Sequence, residues 1–156
     1  MSTLQLYRFF ALDLAGGTAA GDVGMMDYLS DVIKCTLHTS AYTPAPTTDK
    51  AFATATNELT TANGYTAGGV TIAGKSIAAG ATSIFDMDDT TVTWTASGGS
   101  LVFQYAVFHD DTVTVGPPIK PLIGYIDCGA QTITTGNTFT ITTGANGLFT
   151  CVTTGA

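Results

Sequence analysis

The stretch Leu101-Val-Phe-Gln-Tyr-Ala-Val-Phe-His109 decides the fold. Strand alternation puts Leu101, Phe103, Tyr105 and Val107 on one face, and Val102, Gln104, Ala106 and Phe108 on the other. Only Gln104 is polar, so both faces should be covered, as in a central strand of a two-layer β domain. Pro121-Leu-Ile-Gly-Tyr-Ile-Asp-Cys128 reads as a second apolar strand. Thr91-Val-Thr-Trp-Thr-Ala96 alternates with Val92, Trp94 and Ala96 inward, and Gly98-Gly99 should turn it into the central strand as a hairpin or neighbouring pair. Strands over 131–134, 138–142 and 147–152 follow, punctuated by Gly136-Asn137 and Asn146-Gly147. The spacing predicts a mainly β fold, an antiparallel sandwich or jelly-roll-like domain.

The upstream half is less regular. Ser2 or Thr3 can cap a helix to Ala15, with Leu4, Tyr7, Ala11 and Leu14 as its stripe and Gly16-Gly17 as its stop. A strand reading of Leu4 to Leu12 competes with it. Residues 16–27 read as a loose loop, so residues 1–27 form an N-terminal helix and loop extension of a single domain over 1–156. In Val32–His38, Ile33, Cys35 and Leu37 should face the core, while Val32, Lys34, Thr36 and His38 take the wetter side. Pro44 and Pro46 break regular structure, and a short helix is expected over 50–59 with Phe52, Ala55 and Leu59 packing down. Asn63-Gly64 and Thr66–Gly69 are turn signals. Val70–Ile77 is a weak strand with Gly74 at a bulge, and Ser83–Phe85 leads into an acidic turn, Asp86-Met-Asp-Asp89.

Composition bounds the function. Charged residues are only 11% of the chain, while Thr numbers 30 and Gly 18, which suits strands and tight turns. Twelve acidic residues against five basic ones give a net charge of −7, which disfavours nucleic acid and anionic membrane surfaces as partners. Cys35, Cys128 and Cys151 are too widely spaced for a zinc motif or a disulfide framework. They read as buried thiols, with a Cys35–Cys128 or Cys128–Cys151 bridge left open. With no signal peptide pattern and no apolar run of membrane length, a soluble cytosolic product is expected.

Motifs for chemistry are weak. Asp86, Asp88 and Asp89, with Asp110-Asp111, offer oxygen ligands that calcium favours, but without the loop spacing of a helix–loop–helix calcium site; a solvated turn is the plainer reading. His38 and His109 are far apart and carry no metal-ligand spacing. Neither a nucleophile elbow nor a phosphate-binding glycine loop is present, so no catalytic, cofactor-binding or metal residue is assigned, and enzyme activity is not expected. Trp94, Phe103, Tyr105, Phe108 and Tyr125 suit a sugar platform chemically, but their strands are the most apolar ones, which favours core packing.

Several pieces occur in a telling order: Asp31–Pro44, Asn57-Glu-Leu59 with Asn63–Gly69, Val92-Thr-Trp94, Tyr105-Ala-Val107, Pro121–Asp127 and Thr138–Ile141. Together they span roughly residues 28–152 and resemble a family of small virion structural proteins of tailed bacteriophages and prophages. The resemblance implies a non-enzymatic particle component, assembled in the host cytoplasm and resident on the capsid surface. Its expected role is that of a decoration or cement protein that binds the major capsid protein as a dimer or trimer. A tail or neck component of the virion is the alternative, and a carbohydrate-binding or host-adhesion module is a rival from another class. A surface of Thr, Gly and Ala suits assembly, because it loses little solvation and few rotamers when buried.

Overall fold

A computed structural model of the chain describes residues 4–10, 26–79, 84–88, 91–115, 118–142 and 149–152, with backbone only for 77–79, 84–88 and 149–152. All strand pairings in it are antiparallel. The principal sheet has five strands: β1 (Leu4–Leu6), β2 (Ile33–His38), β3 (Val70–Thr71), β7 (Leu101–Asp110) and β8 (Leu122–Ile133). Their spatial order is β1-β8-β7-β2-β3, so β7 is the central strand, as its two apolar faces require. A second sheet has β5 (Ile84–Asp88) between β10 (Phe149–Val152) and β4 (Ser76–Ala79). A third is the ribbon of β6 (Val92–Thr95) with β9 (Thr138–Ile141). The result is a mainly β, sandwich-like fold.

The two faces of the principal sheet bury different chemistry. One face carries Ile33, Cys35 and Leu37 of β2 with Leu101, Phe103, Ala106 and Phe108 of β7. The ribbon covers them with Val92, Trp94 and Ile141, assisted by Ala96, Tyr65 and Ile72. Each such large apolar side chain contributes about 1.5–3 kcal/mol by leaving water. Outward, Thr93 and Thr95 face Thr140 and Thr138, with the Thr93 and Thr140 hydroxyls 3.1 Å apart. The other face packs Val107, Leu122 and Tyr125 with Tyr7, Tyr42 and Ala55. There residues 39–57 cross over the sheet.

Plain alternation along β7 fails midway. Phe103 and Tyr105 lie in different clusters, because the β7–β8 register shifts between them opposite Gly129, whose φ is +67. Beyond the shift Ala106 and Phe108 join the side that Phe103 began, while Tyr105 and Val107 turn to the aromatic side. The expected faces are therefore correct up to Gln104 and reversed after it.

Other expectations are corrected too. The N-terminal helix is absent over Leu4–Leu6, which form strand β1 paired with Tyr125 and its neighbours. The competing strand reading holds for those residues, and positions 11–15 lie outside the described ones. Gly124 is opposite Leu6, where a side chain would strike the neighbouring Gln5 carbonyl, so glycine lets this edge strand approach. The helix over 50–59 is reduced to one 3-10 turn, Phe52–Thr54, because Phe52 N–H and Lys50 C=O are already bonded to Lys120 and Leu122. β6 does not pair with β7; it pairs with β9, and Asn63 bonded to Ser97 and Ser100 shapes a corner where a hairpin was expected. The pieces 121–128 and 131–134 are one long strand, β8. Asp86 and Asp88 lie within β5, not in a turn, and Asp89 lies outside the described residues.

The Asn63-Gly64 turn behaves as read, and Asn146-Gly147 lies outside the described residues. Asn63 and Gly64 both have positive φ and close a tight turn between Ala62 and Tyr65. Just beyond it, Glu58 accepts from Tyr65 Oη at 2.6 Å and from the Gly68 N–H at 2.6 Å, and Tyr65 Oη accepts from the Leu37 N–H. That network fastens the 58–69 loop to β2.

Candidate interaction surface

The side of β2 expected to be wet is so at Val32 and Lys34 but dry beyond them. Thr36 and His38 are fully buried under the 39–57 crossing. His38 Nδ1 donates to the Thr56 carbonyl at 2.8 Å, and Nε2 lies 2.9 Å from the Thr36 hydroxyl. Burial depresses its pKa, so it is neutral and structural. Around it runs a belt of rings. Tyr7 packs on Tyr125 and Tyr105 on both Tyr125 and Tyr42, while His38 joins Tyr42 to Phe52 and Phe52 stacks on His109 at 4.0 Å. Tyr7 and Tyr42 share a 2.5 Å hydroxyl contact, and Asp49 accepts from Tyr42 at 3.4 Å. Sequence separation hid that His38 and His109 flank one phenyl ring.

The belt ends where β7 finishes and β2 begins. Asp111 holds the Lys34 ammonium at 2.6 Å and the Lys120 ammonium at 2.5 Å. Burial alone would raise Asp111, but the two lysines outweigh it and hold the carboxyl below its ordinary range. His109 is buried, with neither ring nitrogen hydrogen-bonded among the described residues. Desolvation pushes its pKa down to about 4, with Lys120 and Lys34 adding to the fall. The Val32 carbonyl accepts from Asp111 N–H, and Val32 N–H donates to the Thr112 hydroxyl at 2.6 Å.

On the other side of this end, Asp110 is fully buried. One oxygen accepts from Thr112 N–H at 2.7 Å, and the other meets no donor among the described residues. It lies beside Asp31, whose carboxyl opposes the ionisation of Asp110. Desolvation, reinforced by Asp31, pushes Asp110 up to about 7. Lys75 reaches the Asp31 carbonyl and the Tyr28 ring next to this pair. Because Asp110 stays protonated on folding but ionises near 3.9 when unfolded, its contribution to stability falls as pH rises from about 4 to 7. Buried His109 acts oppositely, since stability falls as pH drops from about 6.5 toward 4. Asp110→Asn should therefore gain about 1–2 kcal/mol at pH 8 and show a steeper loss below pH 6 than wild type. Urea unfolding across pH 4–8 checks this, and superimposable profiles would contradict it.

Surface apolarity gathers at the same end. Of the large hydrophobic residues exposed among the described ones, Leu29, Val32, Val115 and Ile119 belong to it, and Val102 lies toward the opposite end of β7. Beside them opens a cleft of about 710 Å³ lined by Ala51, Phe52, Ala53, Pro118 and Ile119, with Lys50 and Lys120 at its rim. The cleft size and apolar lining are those of a recognition site. No residue here forms a nucleophile–base pair, and no group of three metal-ligating side chains occurs among the described residues. Lys34, His109, Asp110 and Asp111 thus position loops, whereas the exposed chemistry is apolar contact.

The other sequence candidates disperse. Trp94, Phe103, Phe108 and Tyr125 are buried and Tyr105 half-buried, so they are core and offer no platform for a sugar ring. Cys35 and Cys128 carry thiols and no disulfide, and burial pushes Cys128 up to about 11; the Cys151 side chain is outside the described ones. Within the described residues no helix is long and apolar enough to cross a membrane. Comparison of the chain with protein-family models, curated proteins and solved structures returns no match.

Proposed function

We propose that the chain is a structural protein of a tailed phage virion, a capsid decoration protein that docks on the assembled shell through the end of the principal sheet where β2 starts and β7 stops. The observation that carries the docking face is the clustering of Leu29, Val32, Val115 and Ile119 beside the apolar cleft, when Val102 is the one other exposed large hydrophobic residue among the described ones. The motif order in the sequence supports the virion setting, and the charge-poor, Thr-rich surface supports assembly in many copies on one lattice. The partner is the major capsid protein, and a dimer or trimer at a symmetry axis would satisfy the lattice. A place in the tail or neck uses the same surface with fewer copies. The buried position of Trp94 and its neighbours speaks against the adhesion reading.

Mixing purified protein with bare heads and sedimenting them tests the proposal. Saturable binding is expected, and a double variant Val32→Asp/Val115→Asp should weaken it at least about tenfold, as expected for charges forced into an apolar contact. Val102→Asp, at the other end, should bind as wild type. Absence of wild-type protein from the pelleted heads would sink the proposal.

A further inference from the structure

We infer that the buried Asp110 carboxyl is a proton-operated latch on residues 29–32: protonated, it lets this segment close on the end of β7, and ionised, it drives the segment off. The device is conformational, and it stands whether or not the chain docks on a capsid.

The latch follows from how the segment is held. Tyr28 and Ile33 are buried and anchor its two ends, whereas Leu29, Ser30 and Val32 are exposed and Asp31 is half-buried. The Asp27 carboxyl accepts from the Leu29 N–H at 3.1 Å and the Ser30 N–H at 3.3 Å, and Asp31 N–H donates to the Asp27 carbonyl at 2.8 Å. These bonds shape the turn without tying it to the sheet. Among the described residues the ties are four. Val32 N–H donates to the Thr112 hydroxyl, Asp111 N–H donates to the Val32 carbonyl, Lys75 reaches the Asp31 carbonyl, and the Asp31 carboxyl meets that of Asp110.

The last tie is the one a proton decides. Oδ1 of Asp110 accepts from the Thr112 N–H at 2.7 Å, while Oδ2 is buried with no donor among the described residues. A buried carboxylate oxygen without a donor is costly, and a second carboxyl beside it adds to the cost, so the closed segment needs the proton. No described cation takes the proton's place. Lys75 sits on the Asp31 carbonyl and the Tyr28 ring, and Asp27 is turned to its own loop. Asp111 takes up Lys34 and Lys120, His109 lies neutral against Phe52, and β8 presents the Pro121 carbonyl to the Asp110 N–H.

Burial, reinforced by Asp31, raises the Asp110 carboxyl to about 7 against the lowering effect of the Thr112 and Val113 N–H groups. Lifting residues 29–32 returns it toward its ordinary value, so the open form holds fewer protons and gains as pH rises. That gain accrues between about pH 4 and about pH 7 and then stops. Leu29 and Val32 ride on the segment, so this part of the exposed apolar end is firmer in acid than at neutral pH.

The test is native-state amide hydrogen exchange on the full chain from pH 5 to pH 8, corrected for intrinsic rates. Between pH 5 and 7 the Val32 and Asp111 amides of wild type should lose about tenfold or more of their protection, with little further loss by pH 8. Asp110→Asn keeps an acceptor for Thr112 and cannot ionise, so its profile at these amides should be flat. Asp31→Asn removes the opposing carboxyl, so its fall should be smaller and end at lower pH. A flat wild-type profile, or an equal fall in Asp110→Asn, overturns the inference. Val32 and Asp111 amides that exchange no faster than those inside β7 also overturn it, because the segment would then open only with the whole fold. If Asp110→Asn does not fold, Asp31→Asn decides alone, and a fall matching wild type in depth and end point overturns the latch.

Discussion

Gly69→Ala is expected to leave the purified protein unfolded or to lower its stability by more than about 4 kcal/mol, a large part of the 5–15 kcal/mol typical of a domain. Gly69 has φ of +71, a region where an L side chain costs about 1–2 kcal/mol. Steric overlap adds more than this. A Cβ there would fall well inside contact distance of the Cys35 carbonyl and overlap the Thr36 side chain, both in β2. Cys35 is the register partner of Val70, so relieving the overlap means pulling β3 off the principal sheet. Neither contacting group can rotate away, because the Cys35 carbonyl is backbone and Thr36 is buried and bonded to the Val107 carbonyl at 3.2 Å. Gly98→Ala is the control: its φ is +80, yet a Cβ there meets nothing, so it should cost only the backbone strain of a left-handed alanine. Urea unfolding of the two variants measures the difference, and equal losses would show that backbone strain alone is at work.

Trp94→Ala is expected to cost about 3–5 kcal/mol, the usual range for removing a buried aromatic side chain. Trp94 is 3% exposed, stacks on Phe139 at 6.0 Å, and stands in the ribbon layer over β2 and β7. Phe139 in turn meets Phe103 edge-on at 4.7 Å, so the cavity would open against the central strand. The indole Nε1 has no hydrogen-bond partner among the described residues, so the loss is one of packing and leaves no acceptor stranded. A clear drop in the urea midpoint is predicted. Glycan binding that vanished in this variant while its stability stayed unchanged would instead restore the adhesion reading.

What sequence can show here depends on whether a residue's surroundings are local. β7 was legible as the centre because nine consecutive residues, Leu101 to His109, are apolar but for Gln104 and the terminal histidine, and Val92, Trp94 and Ala96 were legible as inward because plain alternation continues through them. Asn63-Gly64 was legible because left-handed backbone at two successive positions asks for that pair. The switch of faces at Gln104 was not, since it is set by the register with Gly129 on another strand. Thr36 and His38 looked solvent-facing because their cover arrives from residues 39–57, whose own prolines suggested only a loop. The pairing of β6 with β9, over forty residues away, is likewise non-local. As for the docking end, Val32, Val115 and Ile119 are unremarkable singly, and only the closing of β7 on β2 through Asp111 and Val32 collects them. The Asp31–Asp110 pair is invisible for the same reason, as its partners lie on opposite sides of the chain's midpoint.

A cryo-EM map of the complete phage particle tests the central claim most directly. The account predicts density for this β fold in hundreds of copies on the outer shell, with Leu29, Val32, Val115 and Ile119 turned toward the coat protein and Thr93, Thr95, Thr138 and Thr140 turned to solvent. A particle whose shell lacks this density, or one in which the threonine face meets the coat and the apolar end points away, would contradict it.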